Sequence, residues 1–317
     1  IRRPPRSTQS RSSAASDVYK RQGNTASGTN SIAMGASTAA SNTNSTAMGD
    51  STEASGGSST AMGGRTIASG TTSTAMGEST TASGTYSTAM GYRTTASGES
   101  STAMGDDTTA SADYSTVMGR NTTASGINST AMGSYTTASG ISSTAMGQSN
   151  VASGNTSTAM GSDTTASGIS STAMGFNTIA SGVRSTAMGD DTEASGSYST
   201  AMGDNTTAFG YASTAMGELN VLNTGDNATT YDATNTAFSI GNGTSEGSRS
   251  DAFSVLFNGT TTIAGSVTSE SLNVPALNTA PASATAAGTL GSIRFTADHI
   301  YVCVATNTWK RVAIGTF

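Results

Sequence analysis

Residues 92–105 read YRTTASGESSTAMG, and this 14-residue unit decides the fold of the chain. Fourteen such units, here called coils, follow one another from Gln22 to Gly217 with the consensus x-x-T-T-A-S-G-x-x-S-T-A-M-G. All 14 methionines of the 317 residues occupy position 13 of a coil. A fixed period of this kind is typical of repeat proteins, in which each unit buries its apolar face by stacking on its neighbours.

Each coil consists of two similar halves, T-T-A-S-G and S-T-A-M-G, which are separated by two variable residues. Paired Thr residues, Gly at every seventh position and the lack of a helical stripe favour two short strands joined by tight turns. We expect the glycines, such as Gly84 and Gly91, to provide left-handed or closely packed backbone at the turns. Asn42 and Ala112 replace the first Gly in two coils, and we expect left-handed backbone there as well.

Alternation along the strands predicts which side chains face inward. Positions 3 and 5 share one face and positions 10 and 12 another, and position 5 is always Ala while position 10 is always Ser. These small side chains fit the interior of a thin roll. Position 4 accepts Glu53 and Glu193, so its face is predicted to meet solvent, and the similarity of the two halves predicts that Met also points outward.

An outward row of methionines would form an apolar strip about 65 Å long, at about 4.8 Å per coil. Strips of this length are partner surfaces in most proteins, and a trimer around one axis would cover the strip in every chain. The alternative is that Met lies inside each roll. The predicted trimer interface consists of Met34, Met48, Met62, Met76, Met90, Met104, Met118, Met132, Met146, Met160, Met174, Met188, Met202 and Met216.

The motif N-S-T-A-M-G, at residues 44–49 and 128–133, resembles the head repeat of YadA-like trimeric autotransporter adhesins. The family pattern is N-S-V-A-I-G-x-x-S, in which Thr and Met of this chain replace Val and Ile. The resemblance implies a left-handed parallel β-roll of 14-residue coils that trimerises side by side. Similar S-T-A-M-G arrays also occur in bacterial and phage proteins with tail-fibre-type C-terminal regions.

Positions 1, 2, 8 and 9 carry nearly all the variation of the array, and they fall in the predicted turns. Tyr with mixed polar neighbours is suitable for recognition, although solvated turns of no special role are an alternative. The predicted adhesive turn residues are Tyr86, Tyr92, Arg93, Tyr114, Arg120, Tyr135, Arg184, Tyr198 and Tyr211.

Residues that would indicate catalysis or cofactor binding are sparse. The only histidine, His299, has no Ser or carboxylate arrangement around it, and with Cys303 it offers too few ligands for zinc. The pairs Asp106–Asp107 and Asp190–Asp191 lack the spacing of a calcium loop. We expect no enzyme activity, no metal and no cofactor.

The chain is predicted to divide into a segment at residues 1–22, a roll at 23–217, a β-rich region at 218–271, a linker at 272–288 and a small β module at 289–317. The first segment holds 6 of the 14 basic residues and resembles a translated sequencing adaptor, so we treat it as non-native. The remainder has 8 of the 14 basic and 19 of the 20 acidic residues, a formal charge of −11. Such acidity argues against nucleic-acid and membrane contact.

The sequence therefore predicts an extracellular homotrimeric adhesin head that attaches to a cell, matrix or glycan surface. It would stand on a bacterial surface through an outer-membrane anchor in a missing region, or in a virion tail fibre. A phage tail-fibre shaft or receptor-binding fibre is the first alternative. An ice-binding β-solenoid is the second, because positions 4 and 6 form an outward T-x-S ladder that Glu53 and Ile67 interrupt.

Overall fold

A computed structural model describes residues 23–268 and 277–315, and these residues form an all-β protein built on a parallel β-solenoid. The adaptor-like residues 1–22 lie outside the described residues. Contacts divide the chain into two units, with the boundary between Gly265 and Ser266. The single helical turn in the described part is the 3₁₀ turn Glu246–Ser248. Helices able to cross a lipid bilayer are absent from the described ranges.

Every coil contributes one short strand and one long strand to the solenoid. The short strands cover positions 4 and 5 and are Thr25–Ala26, Ala39–Ala40, Glu53–Ala54, Ile67–Ala68, Thr81–Ala82, Thr95–Ala96, Thr109–Ala110, Thr123–Ala124, Thr137–Ala138, Val151–Ala152, Thr165–Ala166, Ile179–Ala180, Glu193–Ala194 and Thr207–Ala208. The long strands run from position 11 to position 1 of the next coil and are Ile32–Ala36, Thr46–Asp50, Thr60–Gly64, Thr74–Glu78, Thr88–Tyr92, Thr102–Asp106, Thr116–Arg120, Thr130–Ser134, Thr144–Gln148, Thr158–Ser162, Thr172–Phe176, Thr186–Asp190, Thr200–Asp204 and Thr214–Glu218.

Both kinds of strand stack in parallel and in register, so each residue pairs with the residue one coil later. In the long sheet Ala89 pairs with Ala103 and Met90 pairs with Met104. In the short sheet Thr95 pairs with Thr109. Equivalent side chains therefore form straight columns along the solenoid, and the character of each column is set by one position of the consensus.

The interior consists of small side chains, as the alternation predicts. Ala96 at position 5 and Ala103 at position 12 are fully buried, and the equivalent positions behave alike from the second coil onward, whereas Ala26 in the first coil is exposed and Ala33 is half-buried. Thr94 at position 3 and Ser101 at position 10 are also fully buried. The Ser101 Oγ donates a hydrogen bond to the Gly98 carbonyl oxygen at 2.7 Å, whereas Thr94 Oγ1 has no partner among the described residues. The thin core thus gains little from apolar burial and carries unpaired hydroxyls, which limits the stability of an isolated roll.

The left-handed turn residues lie at positions 2 and 9, and these residues are mostly not glycine. The φ angles of the non-glycine residues at these positions range from 48 to 62°, as at Arg93 and Tyr114. Gly91 at position 14 also has a positive φ of 126°, as predicted, but Gly84 at position 7 does not. A Cβ on Gly84 would lie 2.0 Å from the Gly98 carbonyl oxygen, so position 7 needs glycine because neighbouring coils approach closely.

The prediction of left-handed backbone at Asn42 and Ala112 is therefore wrong, because position 7 is constrained by its contact with the next coil rather than by φ. The local hydrogen bonds show how the extra Cβ is accommodated. Among the described residues no hydrogen bond joins the Ala112 N–H to the Ala124 carbonyl, whereas the equivalent Gly70 N–H donates to the Ala82 carbonyl at 3.2 Å. The Asn42 N–H instead donates to Ser45 Oγ at 3.2 Å.

The stack continues beyond the last regular coil. Strand Thr236–Asn242 lies parallel to Thr214–Glu218, with Ile240 paired to Met216 and Gly241 paired to Gly217. Strands Asp251–Leu256 and Thr261–Ile263 then follow in antiparallel pairing. The β-rich region predicted at 218–271 thus begins with one further strand of the long sheet.

The second unit contains a three-stranded antiparallel sheet of Ile293–Phe295, His299–Ala305 and Thr308–Ala313. The small β module predicted at 289–317 contains these three strands. Asn307, with φ 55°, turns the last two strands into a hairpin. Trp309 is 5% exposed, and its indole N–H donates to the Ala286 carbonyl at 3.0 Å, so it is part of the core of this unit.

Candidate binding surfaces of the roll

The outer surface of the long sheet, here called the Met face, consists of Thr at position 11 and Met at position 13. In the strand Thr102–Asp106 the side chain of Ala103 is buried, while Thr102 and Met104 on either side are half-buried and face outward. The same pattern recurs from Thr46 to Thr214. The alternative of Met inside the roll is wrong, because Ala and Ser fill that space. A trimer contact through this face stays a prediction.

Met34, in the first coil, is 46% exposed, and the Met residues of later coils are more buried because each packs against its neighbours in the column. At the other end Ile240 extends the column and is 40% exposed. The sequence pattern missed Ile240 because 24 positions, rather than 14, separate it from Met216. The signal was nevertheless present, since A-F-S-I-G at residues 237–241 parallels S-T-A-M-G.

The outer surface of the short sheet, here called the Thr/Ser face, is polar and exposed. Position 4 is half-buried in most coils, and position 6, as at Ser97, is exposed. Ile67 and Ile179 interrupt this surface with exposed fractions of 38% and 40%, and Glu53 interrupts it with a charge. The prediction that this face meets solvent agrees with the structure of the single chain.

The turns at positions 1 and 2 form a first ridge along the roll, and this ridge is acidic. Its acidic residues are Asp50, Glu78, Asp106, Asp107, Asp163, Asp190, Asp191, Asp204 and Glu218. Its cations lie close to these carboxylates: Arg65 Nη2 is 2.6 Å from Glu78 Oε1, and Arg93 Nε is 3.4 Å from Asp107 Oδ1.

Four of the predicted adhesive residues lie on the first ridge, as two cation–aromatic pairs. The Arg93 guanidinium lies 4.6 Å from the Tyr92 ring centre, and that of Arg120 lies 5.3 Å from the Tyr135 ring centre. Arg120 is also paired across the strands with Asp106. Each arginine of these pairs therefore has an acidic neighbour on the same ridge.

The turns at positions 8 and 9 form a second ridge, which has a different character. It carries the other five predicted residues, Tyr86, Tyr114, Arg184, Tyr198 and Tyr211. Its acidic residues are Glu99 and Asp113, and none occupies positions 8 or 9 of the coils after Asp113. All nine predicted turn residues are exposed except Tyr211, which is half-buried.

The second ridge also carries exposed aliphatic side chains that sequence reasoning missed. They share position 8, and their exposed fractions are 39% to 54%: Ile127, Ile141, Ile169 and Val183. These four residues are separated from one another by whole coils, and this spacing was the sequence signal that could have revealed them. It was overlooked because position 8 is variable along the array.

Arg184, Tyr198 and Tyr211 form a continuous cluster, here called the Tyr–Arg cluster, on three successive coils of the second ridge. Arg184 Nη1 donates a hydrogen bond to the Tyr198 hydroxyl at 2.7 Å, and its guanidinium carbon lies 5.4 Å from the centre of that ring. The Tyr198 and Tyr211 rings meet edge to face with centres 5.3 Å apart. Backbone bonds from Ser197 and Tyr211 to the loop carbonyls of Ala228 and Asn227 hold this end of the ridge.

Titratable groups with shifted pKa values lie off both ridges. Backbone and side-chain hydrogen bonds from Thr234 lower the pKa of Asp232. Burial raises the pKa of Asp251, although the Val221 N–H that donates to its carboxylate opposes the shift. Groups of three His, Cys, Asp or Glu side chains that could hold a metal ion do not occur among the described residues.

The chain is similar to one phage protein and to one protein family. The Klebsiella phage K5-2 protein named Depolymerase 1, capsule K30/K69-specific, is 54% identical over 37 residues, which are 12% of this chain and 5% of that protein. The chain therefore aligns with only a small part of that relative. The profile of the YadA head domain repeat matches successive segments between residues 22 and 217, which is more than half of the chain. The chain thus belongs to the YadA head domain repeat family.

Proposed function

We propose that this chain is a section of a homotrimeric, extracellular fibre, which assembles through its Met face and attaches to a cell, matrix or glycan surface through its turn ridges. The family and the phage relative support a fibre of the adhesin or tail-fibre type. The proposal assigns the chain a binding role, without catalysis and without a cofactor.

The observation that carries the proposal is the outward column of methionines. From the second coil to the fourteenth, Thr and Met alternate with a buried Ala, or with Val117, along one face, and the column ends in Ile240 rather than in a polar residue. Each Met side chain that becomes buried stabilises an assembly by about 1.5–3 kcal/mol. Since the interior of each roll contains only small side chains, burial of this face supplies stability that one chain lacks.

Three chains rather than two are inferred from the family, since YadA head domains are typically trimeric, and a threefold axis parallel to the solenoid brings equivalent coils to the same level. The straight columns produced by in-register pairing then meet along their whole length. A closed symmetric ring also avoids the open filaments that head-to-tail contacts produce.

The turn ridges supply the recognition surface in this proposal. Tyr86, Tyr114 and Tyr198 adopt φ angles of 59, 59 and 62°, a region that disfavours large side chains. Asn occupies the same turn position in other coils, as at Asn44, and tolerates it at lower cost. Large exposed residues that are retained in unfavourable backbone conformations are typical of functional sites.

A phage tail fibre is the second candidate, and one observation favours it. The aligned relative is a phage protein whose name describes a capsule-specific depolymerase. In this version the roll would be a fibre segment that contacts a bacterial capsule. The genes on either side of the coding sequence would separate the two versions, because baseplate genes predict a tail fibre and an anchor-encoding continuation predicts an adhesin.

Attachment of beads tests the adhesive role. The intact chain is coupled to fluorescent beads, which are counted on encapsulated bacteria, on bacteria stripped of capsule, on animal cells and on immobilised matrix proteins. The matched variant carries Ser at all nine predicted turn residues and retains the Met face. We expect beads with the native chain to attach to at least one surface, and beads with the variant to lose most of that attachment.

Folding of the variant is checked by circular dichroism and by its sedimentation coefficient, which should equal that of the native chain. Equal attachment of the folded variant would contradict the assignment of recognition to the turns. Absence of attachment to every surface in the panel would contradict the adhesive role itself.

A further inference from the structure

The Tyr–Arg cluster differs from every other Arg–Tyr contact of the roll in its electrostatic surroundings. Arg93 forms an ion pair with Asp107, whereas Arg120 forms none among the described residues but lies directly next to Asp106 in its column. Arg184 forms no ion pair with a carboxylate in the described part of the chain. Its neighbours in the columns of the second ridge are Ser170 and Tyr198 at position 9 and Ile169 and Ser197 at position 8.

Arg184 is also the only Lys or Arg between residues 121 and 248, in a body with a large excess of acid. The acidic groups near this end of the ridge have other positions or partners. Glu193 lies on the Thr/Ser face at position 4, and Asp226, beside Gly210, accepts a hydrogen bond from the Thr236 N–H at 2.9 Å. The Arg184 guanidinium therefore retains free donors and an uncompensated charge at an exposed site.

The two tyrosines give this charge an aromatic neighbour. Tyr198 is 45% exposed, and the edge-to-face contact with Tyr211 fixes its ring, while the Arg184 hydrogen bond fixes its hydroxyl. A fixed aromatic ring loses little conformational entropy when it binds a partner. The face of a pyranose ring presents C–H groups that pack on aromatic rings, and its hydroxyls bond to a phenol.

The length of the cluster also fits a short stretch of polysaccharide. Its three side chains come from three successive coils, which span about 10 Å at the usual spacing between strands. This distance is comparable with the length of a di- or trisaccharide. A carboxylate on one sugar would accept paired hydrogen bonds from the guanidinium while a neighbouring sugar packs on Tyr198.

We propose that the Tyr–Arg cluster is a binding site for an acidic polysaccharide, in which Arg184 binds the carboxylate of a hexuronate and Tyr198, supported by Tyr211, packs against the sugar ring. This inference rests on the proposed adhesive function and names a ligand class for one part of the second ridge. The aliphatic side chains of Ile169 and Val183 lie next to the cluster and would contact the less polar face of the following sugars.

Calorimetric titration of the intact chain tests the site with defined probes. The acidic probes are a galacturonate pentasaccharide and a hyaluronate hexasaccharide, and the neutral probe is the fully methyl-esterified galacturonate pentasaccharide. We expect at least one acidic probe to bind. If the pentasaccharide binds, esterification should weaken binding by about tenfold or more, because it removes the charged acceptor of the Arg184 bonds.

Variants assign the binding to the cluster. Arg184→Gln and Tyr198→Leu should each weaken the acidic probe by about tenfold. Arg65→Gln and Phe176→Leu remove a guanidinium and an aromatic ring from the first ridge, at positions outside the predicted adhesive residues, and serve as matched controls that should retain full affinity. All four positions are exposed, so the melting temperature should stay close to that of the native chain in each variant.

Three results would overturn the proposal: failure of both acidic probes at millimolar concentration, equal binding of the neutral probe, or full affinity in Arg184→Gln. None of these results would remove the adhesive function, because attachment of beads through other turn residues would persist. Conversely, binding of the probe without attachment of beads would contradict the adhesive function and leave the site in place.

Discussion

The Met face and the turn ridges of the roll differ in how much their sequences vary from coil to coil. Position 13 is Met in all fourteen coils, whereas position 8 holds Thr, Gly, Glu, Asp, Ile, Asn, Val, Ser and Tyr in different coils. The Met face forms one unbroken column that is half-buried in a single chain. The ridges expose large side chains, several of them in unfavourable backbone conformations. A uniform apolar face is suited to contact with identical chains, and a varied exposed ridge is suited to contact with other molecules.

The largest expected effect comes from charges placed on the Met face. Met132→Glu combined with Met146→Glu should abolish the trimer, because each buried carboxylate without a partner costs about 3–5 kcal/mol. Thermal melting followed by circular dichroism should show a large decrease in melting temperature. This result is compared with that of a variant in which two glutamates lie on the Thr/Ser face, the opposite face of the same coils.

Thr123→Glu combined with Thr137→Glu is that matched control, because the Thr/Ser face accepts Glu53 and Glu193 in the native sequence. The control should melt within a few degrees of the native chain. Equal behaviour of the two double variants would remove the distinction between the faces.

Alanine substitutions distinguish the two reasons for glycine, which are a positive φ at position 14 and close contact between coils at position 7. Gly91→Ala combines a φ of 126° with a Cβ that would lie 2.0 Å from the Gly105 carbonyl oxygen, and it should cost about 3 kcal/mol. Gly84→Ala has the close contact without the positive φ, and Ala112 occupies the equivalent position, so its cost should be nearer 1–2 kcal/mol.

Urea unfolding of the two glycine variants measures the difference. The reverse substitution, Ala112→Gly, should stabilise the roll by restoring the close packing of coils. A larger loss for Gly84→Ala than for Gly91→Ala would contradict the distinction between a left-handed position and a contact position.

The smallest effect should come from the ridges themselves. Tyr114→Asn replaces a large residue at φ 59° with one that tolerates the left-handed region, and should stabilise the roll by about 0.5–1 kcal/mol. The same substitution should not change the sedimentation coefficient. Thermal melting checks the sign of the effect, and a decrease in melting temperature would show that Tyr114 stabilises the fold rather than serving recognition.

The regular parts of this fold follow from the sequence because one short-range rule acts fourteen times. Alternation along each strand places Ala96 and Ala103 inside and Met104 outside, and stacking repeats the choice in every coil. The turn conformations were harder to predict because the motif has glycine at two positions for two different structural reasons. Gly91 satisfies a dihedral angle, Gly84 satisfies a contact with the next coil, and the strained angles fall on non-glycine neighbours such as Arg93.

Irregular features of the surface could be predicted only in part. Ile240 continues the Met column after an insertion that breaks the 14-residue spacing, so periodicity alone could not find it. The tyrosines and arginines of the turns were identified individually. The division into an acidic first ridge and a second ridge without acidic residues after Asp113, and the clustering of Arg184 with Tyr198, required the columns that in-register stacking creates.

Sedimentation equilibrium of the intact native chain tests the central claim most directly, since every role assigned to the Met face requires identical partners. The account predicts a single species with three times the 31.3 kDa mass of one chain, which persists on dilution through the micromolar range. A folded species with the mass of one chain at all concentrations, and with an unchanged melting temperature on dilution, would contradict it.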